Sequence, residues 1–278
     1  YAMSMMHELA AERKDSEYVS YLDKAQKALG EALAACWDED RFIRGIREDG
    51  VVVGAKKDPE ASMWLNPQSW SVISGFASKE QSDKAMQSVA DILDTPYGAK
   101  LLDPPYIDHY FDGALMHIFN PDTKENGGIF SQSQGWLILA ESLLGHGDDA
   151  FRYFEESSPA SMNDKAEQRV LEPYVHGQFT ESTASPYAGR SHVHWLTGTA
   201  STVMVGCVEG ICGMRPDADG LHICPSIPAA WDGFTMEKLF RGKQLSITVK
   251  NPNHVQSGVA SVSYTHLRAH ETGRKLVC

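Results

Sequence analysis

The feature that most constrains the fold is the order of two hydrophobic periods along the chain. Between residues 15 and 212, apolar residues recur mainly at helical spacing. After about residue 214, short segments rich in Leu, Ile, Val and Thr alternate as strands do. Because the helical stretches come first and the strands last, a parallel sheet built from βαβ units is not expected. The sequence predicts a mainly helical domain followed by a small β-rich segment.

Local patterns mark individual helices and one hairpin. Apolar residues from Asp15 to Trp37 have the spacing of an amphipathic helix that packs on one face, and further helices are predicted from near Pro67 and over 79–93. Asp49-Gly50 lies between alternating apolar residues and predicts a hairpin. Apolar residues from 196 to 211, with few charges, predict a buried helix.

Other segments are predicted to be loops, helix ends or linkers. The segment 97–112 is rich in Pro and Tyr and lacks a period, so it is expected to be a long ordered loop. The segment 145–147 should end one helix, with Asp148 capping the next. A solvated connection is predicted over 163–170 and a turn-rich linker over 213–220.

The stretch TKENGGIFSQSQGW, residues 123–136, places polar residues directly before an apolar helical run. Gly127-Gly128 favours a tight loop in which backbone N–H groups approach a ligand closely. Gln132 and Gln134 fall beside Trp136, and amides next to a Trp suit hydroxyl bonds and ring stacking in a sugar site. A plain solvated surface loop is the alternative for any Gly-Gly pair.

The motif EPYVHGQ, residues 172–178, precedes a loop rich in Ser, Thr and Gly. Glu172, His176 and Gln178 are therefore candidates for substrate contacts. For His176 alone, a hydrogen-bonded surface or core histidine is the competing interpretation.

A second candidate site is the predicted helix start at Thr197-Gly198-Thr199, where the residues are small and two of them carry hydroxyls. Free N–H groups and the positive end of a helix dipole bind anions readily. A simple N-cap by the Thr hydroxyls is the competing interpretation. Basic or titratable residues immediately ahead of this start are Arg190, His192 and His194.

Charge and cysteine usage exclude several classes. A net charge of −12 argues against nucleic acid as a partner, and no apolar run approaches the length of a membrane span. The five cysteines show neither CxxC pairs nor even spacing, so neither a metal site nor a disulfide framework is expected. A reducing, cytoplasmic setting is predicted.

Both ends of the chain look atypical. The first residues fall inside an amphipathic helix without an initiator Met, which suggests a part of a larger protein. The basic, aperiodic residues 262–278 resemble a non-native read-through, with a genuine basic tail as the alternative. The predicted division is 1–213 helical, 214–261 β-rich and 262–278 tail.

Several motifs in order resemble the glycoside phosphorylases of glycoside hydrolase family 94, the cellobiose, cellodextrin, chitobiose and cellobionic acid group. These motifs are WLNPQSWSVISG at 64–75, TKENGGIF at 123–130, EPYVHGQ at 172–178, HWLTGTAS at 194–201, GMRPDADGL at 213–221 and FRG at 240–242. The resemblance runs from about residue 1 to 261. It implies part of an (α/α)6 catalytic barrel followed by a segment of a C-terminal β-sandwich.

The chemistry that the resemblance implies is inverting phosphorolysis of a β-linked glucosyl disaccharide, without a cofactor. Inorganic phosphate is the nucleophile, so the second carboxylate of an inverting hydrolase is not needed. By motif, Thr197 and Gly198 contact phosphate, as does Gln132, where better-known members have a His. The catalytic aspartate of the family lies upstream of Tyr1, so no general acid is expected in this chain, which should be inactive alone.

On the sugar side, the resemblance implies that Gln178 contacts the transferred sugar and that Lys124 and Glu125 bind substrate between two subsites. The segment ALMHIFNP ahead of Lys124 lacks the acidic and tyrosine residues expected to hold a glucose acceptor. A different acceptor, such as the gluconate half of cellobionic acid, is therefore a candidate. The family is usually homodimeric.

Two other classes stay open. An inverting hydrolase on the same barrel would use Glu125 and Glu172 as an acid and base about 6.5–9.5 Å apart. A carbohydrate-binding fragment would bind sugar and never consume phosphate.

Overall fold

The computed structural model of the chain describes residues 1–108, 116–217 and 220–263. Its α-helices are α1 (Ala2–Glu12), α2 (Ser16–Ala34), α3 (Leu65–Ile73), α4 (Lys79–Ile92), α5 (Ser131–Leu144), α6 (Gly147–Ser157), α7 (Ala166–Arg169) and α8 (Thr199–Val205). Two 3-10 helices span Met116–Ile118 and Ala160–Lys165, and a π-helix spans Gly206–Ile211.

The strands are short until the C-terminal part. They are β1 (Trp37–Asp38), β2 (Arg41–Phe42), β3 (Gly45–Ile46), β4 (Val52–Val53), β5 (Met63–Trp64), β6 (Leu102–Asp103), β7 (Ile129–Phe130), β8 (Gly177–Thr180), β9 (Ser191–His194), β10 (Met214–Pro216), β11 (Leu221–Ile223), β12 (Gly233–Phe240) and β13 (Lys243–Lys250). The mainly helical composition predicted from the sequence is confirmed. The closed barrel and the β-sandwich stay predictions.

Consecutive helices pack in pairs around one central helix. Helix α1 packs on α2, α3 on α4 and α5 on α6, and α5 also contacts α3, α8 and the π-helix. The largest core cluster lies among these helices and includes Leu65, Val89, Leu137, Ile138 and Tyr153, each fully buried. The apolar run after the KENGG loop, residues 124–128, therefore forms helix α5, on which α3, α6, α8 and the π-helix pack.

The predicted local elements are mostly where the patterns put them. Helices α2 and α4 match the predicted segments, α3 begins two residues before Pro67, and β3 pairs with β4 around Gly50 at φ 84°. In α2, however, Leu22 is buried whereas Leu29 is 47% exposed. The apolar face of α2 is therefore only partly buried.

The predicted buried helix over 196–211 is wrong in part. The α-helix begins only at Thr199 and changes to a π-helix at Gly206. Val203 is buried, whereas Leu196 and Met204 are 72% and 63% exposed. Apolar spacing alone did not reveal that one side of this helix is uncovered.

The predicted cap at Asp148 is also wrong. Gly145 does end α5 in the left-handed conformation, at φ 84°, but α6 begins at Gly147 with His146 in the N-cap position. The Asp148 carboxylate instead accepts a hydrogen bond from the Ala229 N–H at 2.8 Å. It therefore ties α6 to the C-terminal segment, a long-range contact that local sequence cannot show.

The C-terminal segment consists of two antiparallel hairpins, β10 with β11 and β12 with β13. The predicted linker over 213–220 is therefore wrong in part, because 214–216 forms β10, whereas 213, 217 and 220 lie outside the strands. Trp231, just before the longer hairpin, packs on α6 with its ring 5.0 Å from that of Phe151, and Phe234 of β12 packs against the main core cluster. The division at residue 214 stays a prediction.

Some expectations fall beyond the described residues. Part of the predicted loop over 97–112 lies outside them, as do residues 264–278 of the predicted non-native tail. Within the described ranges, no helix is both long enough and apolar enough to cross a membrane.

Candidate functional site

The KENGG loop is built on a buried asparagine. Asn126 is fully buried, its side-chain N–H groups donate to the carbonyls of Tyr106 and Phe119, and its Oδ1 accepts from the Tyr106 N–H. Gly128 packs so closely on the backbone of Lys124 that a Cβ would lie 2.6 Å from its N and O atoms. This loop is fixed by buried contacts, which contradicts the alternative of a plain solvated loop.

Lys124 and Glu125 are presented by this rigid loop. The Lys124 Nζ lies 5.2 Å from the ring centroid of Phe119 and 5.9 Å from that of Phe179. Such positions attract a cation through the ring quadrupole. The Oε2 atom of Glu125 is buried and has no hydrogen-bond partner among the described residues. A buried carboxylate oxygen left without a donor is costly, so this site suits a ligand hydroxyl.

The two glutamines of the first turn of α5 have different roles. The Gln134 amide is buried and fully used, because Oε1 accepts from the Ala99 N–H and Nε2 donates to Ala99 O and Phe130 O. Trp136 packs edge-on against Trp70 at 5.4 Å. The prediction that Gln134 and Trp136 form a sugar site is therefore wrong, and both have structural roles.

Gln132 lies instead against the start of α8. A Cβ on Gly198 would be 3.5 Å from the amide atoms of Gln132, and the Thr202 hydroxyl donates to the Gln132 carbonyl at 3.0 Å. The structure thus brings together two of the residues predicted to contact phosphate. Gly198 is exposed and Gln132 is half-buried, so both are open to a ligand.

Thr197 lies just before this helix start. Its Oγ1 accepts from the Thr199 N–H at 3.2 Å and is 2.5 Å from the Thr199 hydroxyl oxygen. Gly198 occupies the N-cap position, and no side-chain bond caps it. The Thr197 hydroxyl therefore makes a cap-like bond one residue early, and both the capping and the anion-binding interpretations stay compatible with its position.

One three-stranded sheet supports these segments, in the order β7, β8, β9. The register pairs Phe130 with Phe179 and Gly177 with His194. One end of the sheet therefore contains the last residues of β7 and β9 and the first residue of β8. From this end of the sheet the chain enters α5 and the turn before α8.

Gln178 is the second residue of β8 and is half-buried. Its side chain points to the face opposite Phe179, since neighbouring residues of a strand alternate. No hydrogen bond or ion pair among the described residues joins Gln178 to Lys124 or to Gln132. The structure therefore groups Gln132 with Gly198 and Lys124 with Phe179, and it places the Gln178 side chain on the face of the sheet opposite the Phe179 ring.

The basic residues predicted to assist an anion at 197–199 are mostly engaged elsewhere. The Arg190 guanidinium lies over the Tyr187 ring at 5.5 Å. His192 Nε2 is 2.6 Å from the buried Glu181 carboxylate. His194 is exposed at the end of β9.

His176 lines a small internal cavity behind the sheet, of about 20 Å³, the space of a single water. Burial and the neighbouring Arg169 lower the pKa of His176. Arg169 is itself buried and donates to the carbonyls of Glu172 and Val175. His176 is therefore a neutral residue of the interior, which favours its structural interpretation.

A pair of carboxyls adjoins the same cavity. Arg152 Nη1 donates to Asp94 Oδ2 at 2.5 Å and to Glu156 Oε1 at 3.0 Å. The remaining oxygens, Asp94 Oδ1 and Glu156 Oε2, are buried without another partner among the described residues. Burial, followed by the charge of Asp94, raises the pKa of Glu156 to about 7. A proton held at Glu156 near neutral pH would relieve this repulsion.

The raised pKa predicts a pH-dependent stability. Because the folded state holds the Glu156 proton up to about pH 7, the stabilisation is complete below the ordinary value near 4.5 and is lost as pH rises through 7. Glu156→Gln should therefore raise the unfolding free energy by about 1–2 kcal/mol at pH 8, after allowance for solvent screening, and change it little at pH 5. Thermal denaturation at both pH values measures this difference.

Glu155→Gln is the matched control, since Glu155 is the exposed neighbour in α6. It should leave the pH profile of the melting temperature unchanged. A Glu156→Gln profile parallel to the native one would contradict the raised pKa.

Sequence reasoning missed a buried ion cluster behind the KENGG loop. Lys100, only 7% exposed, lies 2.6 Å from Asp103 Oδ1 and 2.8 Å from Asp122 Oδ1. Although burial opposes it, hydrogen bonds to both carboxylates raise the pKa of Lys100. This cluster joins the segment after α4 to the residues before Lys124. Only the Pro-rich LDPP segment that contains Asp103 could have marked the place, since Lys100 and Asp122 have no local motif.

The described residues also include four cysteines and one group of possible metal ligands. The described cysteines Cys36, Cys207, Cys212 and Cys224 are free. Ligand atoms of Glu141, His146 and Asp149 lie within 4.8 Å of one another. The buried Glu141 carboxylate is already 2.7 Å from His146 Nδ1, and this hydrogen bond raises the pKa of His146. These residues have a structural role at the α5–α6 junction.

Comparison with known proteins identifies the family of this chain. The profile of the glycosyl hydrolase 94 superfamily catalytic domain matches residues 1–213, and that of the glycosyl hydrolase family 65 C-terminal domain matches residues 214–266. The chain therefore belongs to the glycosyl hydrolase 94 superfamily, as the motifs indicated.

Curated relatives include two disaccharide phosphorylases. An N,N'-diacetylchitobiose phosphorylase of Vibrio furnissii is 35% identical over 94% of this chain and 33% of its own length. A cellobionic acid phosphorylase of Neurospora crassa is 34% identical over 86% of this chain and 31% of its own length. The chain thus spans about a third of the length of the curated relatives it matches.

A solved sialidase structure shares the fold, with a TM-score of 0.59 at 15% identity, over 88% of this chain and 22% of that one.

Proposed function

We propose that this chain is the phosphate-binding part of an inverting glycoside phosphorylase. The larger enzyme would cleave a β-linked glucosyl disaccharide with inorganic phosphate and release α-glucose 1-phosphate. The observation that carries the proposal is the position of the Gln132 amide beside Gly198, where a Cβ on Gly198 would lie 3.5 Å from it, in a chain of the glycosyl hydrolase 94 superfamily. No cofactor takes part, and phosphate is a co-substrate.

The reaction needs an acid on one side of the glycosidic bond and phosphate on the other. A carboxylic acid protonates the leaving oxygen while a phosphate oxygen attacks the anomeric carbon from the opposite face, which inverts its configuration. The acid is expected to be an aspartate outside this chain. Charge on the attacking phosphate then has to be held by this chain, whose net charge of −12 makes local donors essential.

On the phosphate side, those donors are the N–H groups at the start of α8, the Thr197 hydroxyl and the Gln132 amide. The dipole of the helix adds a partial positive charge at the same place. An amide at position 132 supplies a hydrogen bond without the charge that a histidine can carry. Binding of phosphate should therefore vary little with pH between 6 and 8 through this residue.

On the sugar side, Lys124 and Glu125 are the best-placed groups. The buried Glu125 oxygen without a donor suits a sugar hydroxyl, and the ammonium over two rings is held near it by the same loop. Gln178 is proposed to contact the transferred sugar. The acceptor half is proposed to be glucose or gluconate, and the chitobiose phosphorylase relative adds N-acetylglucosamine as a candidate. We also propose a homodimeric, cytoplasmic enzyme.

The test is phosphate dependence in the full-length protein. Sugar 1-phosphate is measured with cellobiose, cellobionic acid and N,N'-diacetylchitobiose, each with and without inorganic phosphate. Sugar 1-phosphate should form from at least one of them, and cleavage should stop when phosphate is omitted.

The same assay tests the rival reaction. Equal release of free sugar without phosphate would identify an inverting hydrolase with Glu125 and Glu172 as its acid and base. Binding of a disaccharide without any cleavage would identify a carbohydrate-binding protein.

A further inference from the structure

A buried carboxylate lies one residue beyond β8 and is not used by the proposed chemistry. Glu181 is 6% exposed. Its backbone is held on both sides, since its N–H donates to the Arg190 carbonyl and its own carbonyl accepts from the Gly189 N–H. Its Oε2 accepts from the Ser185 hydroxyl, and its Oε1 is 2.6 Å from His192 Nε2. The carboxylate therefore has a fixed position and a fixed partner.

This carboxylate determines the orientation of an imidazole. A carboxylate at Nε2 makes that nitrogen the donor, so the ring of His192 is held in one tautomer and one rotation. His192 is the cross-strand partner of Phe179, and their rings stack at 4.9 Å with an angle of 10°. The imidazole in turn fixes the plane of the Phe179 ring.

The Phe179 ring is one of two surfaces that hold the Lys124 ammonium. Lys124 forms no ion pair with any residue in the described ranges, and its Nζ lies over Phe119 and Phe179. A lysine without a carboxylate partner is placed by weaker, orientation-dependent contacts with rings. The position of Nζ therefore depends on how well these two rings are held.

We propose that Glu181 and His192 are positioning residues for Lys124, acting through the stacked ring of Phe179. This inference rests on the proposed function, in which Lys124 contacts the disaccharide. The chain of contacts runs from Ser185 through the carboxylate and the imidazole to the phenyl ring and the ammonium. It does not include Gly198 or Gln132, so its effect should be confined to the sugar side.

The decisive variant is His192→Ala in the full-length protein. It removes both the stacked ring and the bond to Glu181, so kcat/KM for the disaccharide should fall by about 10- to 100-fold, as misplacement of a binding group does. The KM for phosphate should stay at the native value. His192→Phe keeps a stacking ring and should recover part of the loss.

Thr180→Val is the matched control on the same hairpin. It removes the 2.7 Å hydrogen bond between the hydroxyls of Thr180 and Ser191, which has no link to Lys124. This variant should lower the melting temperature to a similar extent without changing the ratio of the two KM values. An equal loss of kcat/KM in Thr180→Val would show that His192 only stabilises the hairpin, and would overturn the proposal.

A double-mutant cycle with Lys124→Met tests the route of the effect. If His192 acts through Lys124, His192→Ala should add nothing in the Lys124→Met background. Additive losses would overturn the proposal.

Disaccharide binding by calorimetry gives the same comparison without turnover. A protein that binds the sugar but forms no sugar 1-phosphate would contradict the proposed function alone. In that protein, affinity that is lost in His192→Ala, retained in Thr180→Val and unchanged by His192→Ala in the Lys124→Met background would still support the positioning role.

Discussion

Alanine in place of Gly135 should destabilise the protein by about 2–4 kcal/mol, the cost of forcing an extra carbon into a packed helix interface. A Cβ at this position of α5 would lie 2.3 Å from the carbonyl carbon of Thr202 in α8. Backbone cannot yield as a flexible side chain can, so the two helices must move apart. Because α8 begins beside Gln132, phosphorolysis in the full-length protein should fall together with stability.

Gly30→Ala is the matched control, since Gly30 also lies in the interior of a helix. Its Cβ would be 4.0 Å from the nearest atom, a ring carbon of Phe76. This substitution should stabilise the protein by about 0.5–1 kcal/mol, as Gly to Ala does in a helix. Urea denaturation compares the two variants. Similar unfolding free energies for Gly135→Ala and the native protein would show that α5 and α8 are farther apart in solution.

Removal of the Thr197 hydroxyl should lower kcat of the full-length enzyme by about 10²- to 10³-fold, the cost of losing one donor to transition-state charge. Loss of its cap-like bond to the Thr199 N–H should cost only about 1 kcal/mol of stability. Thr197→Ser keeps the hydroxyl and should be close to native in both respects. Kinetics at varied phosphate and thermal denaturation separate the two roles.

The outcome that contradicts a phosphate role is specific. A Thr197→Ala enzyme destabilised as a lost cap predicts, but with native kcat and native phosphate KM, would make Thr197 a structural residue. The phosphate would then have to bind elsewhere.

Local sequence signals predicted the helices and the first hairpin well, because spacing and turn residues act within a few positions of each other. Where a side chain has a choice of distant partners, prediction failed. Gln132 and Gln134 lie in one helical turn, and nothing local shows that one amide meets Ala99 and the other meets Gly198. Asp148 looks like a cap and instead bonds Ala229.

The same contrast between local signals and distant partners applies to the candidate site. Motifs identified Lys124, Gln132 and Gly198, whereas Glu181 and the Lys100 cluster carry no local pattern and became visible only through their burial and partners. Glu181 and the Lys100 cluster act through the residues that they contact, and those residues lie in other segments of the sequence.

The sheet of β7, β8 and β9 has a consequence for how such proteins diverge. The spacing between Gln178 and the segments that begin at 131 and 195 is maintained by main-chain bonds of the ladder, which every residue type can make. Under the proposed function, replacing a side chain at this end of the sheet would change the sugar contact without changing the distances to the residues proposed to bind phosphate. We therefore expect side chains at this end of the sheet to differ between this chain and relatives named for different disaccharides, whereas the ladder itself is shared.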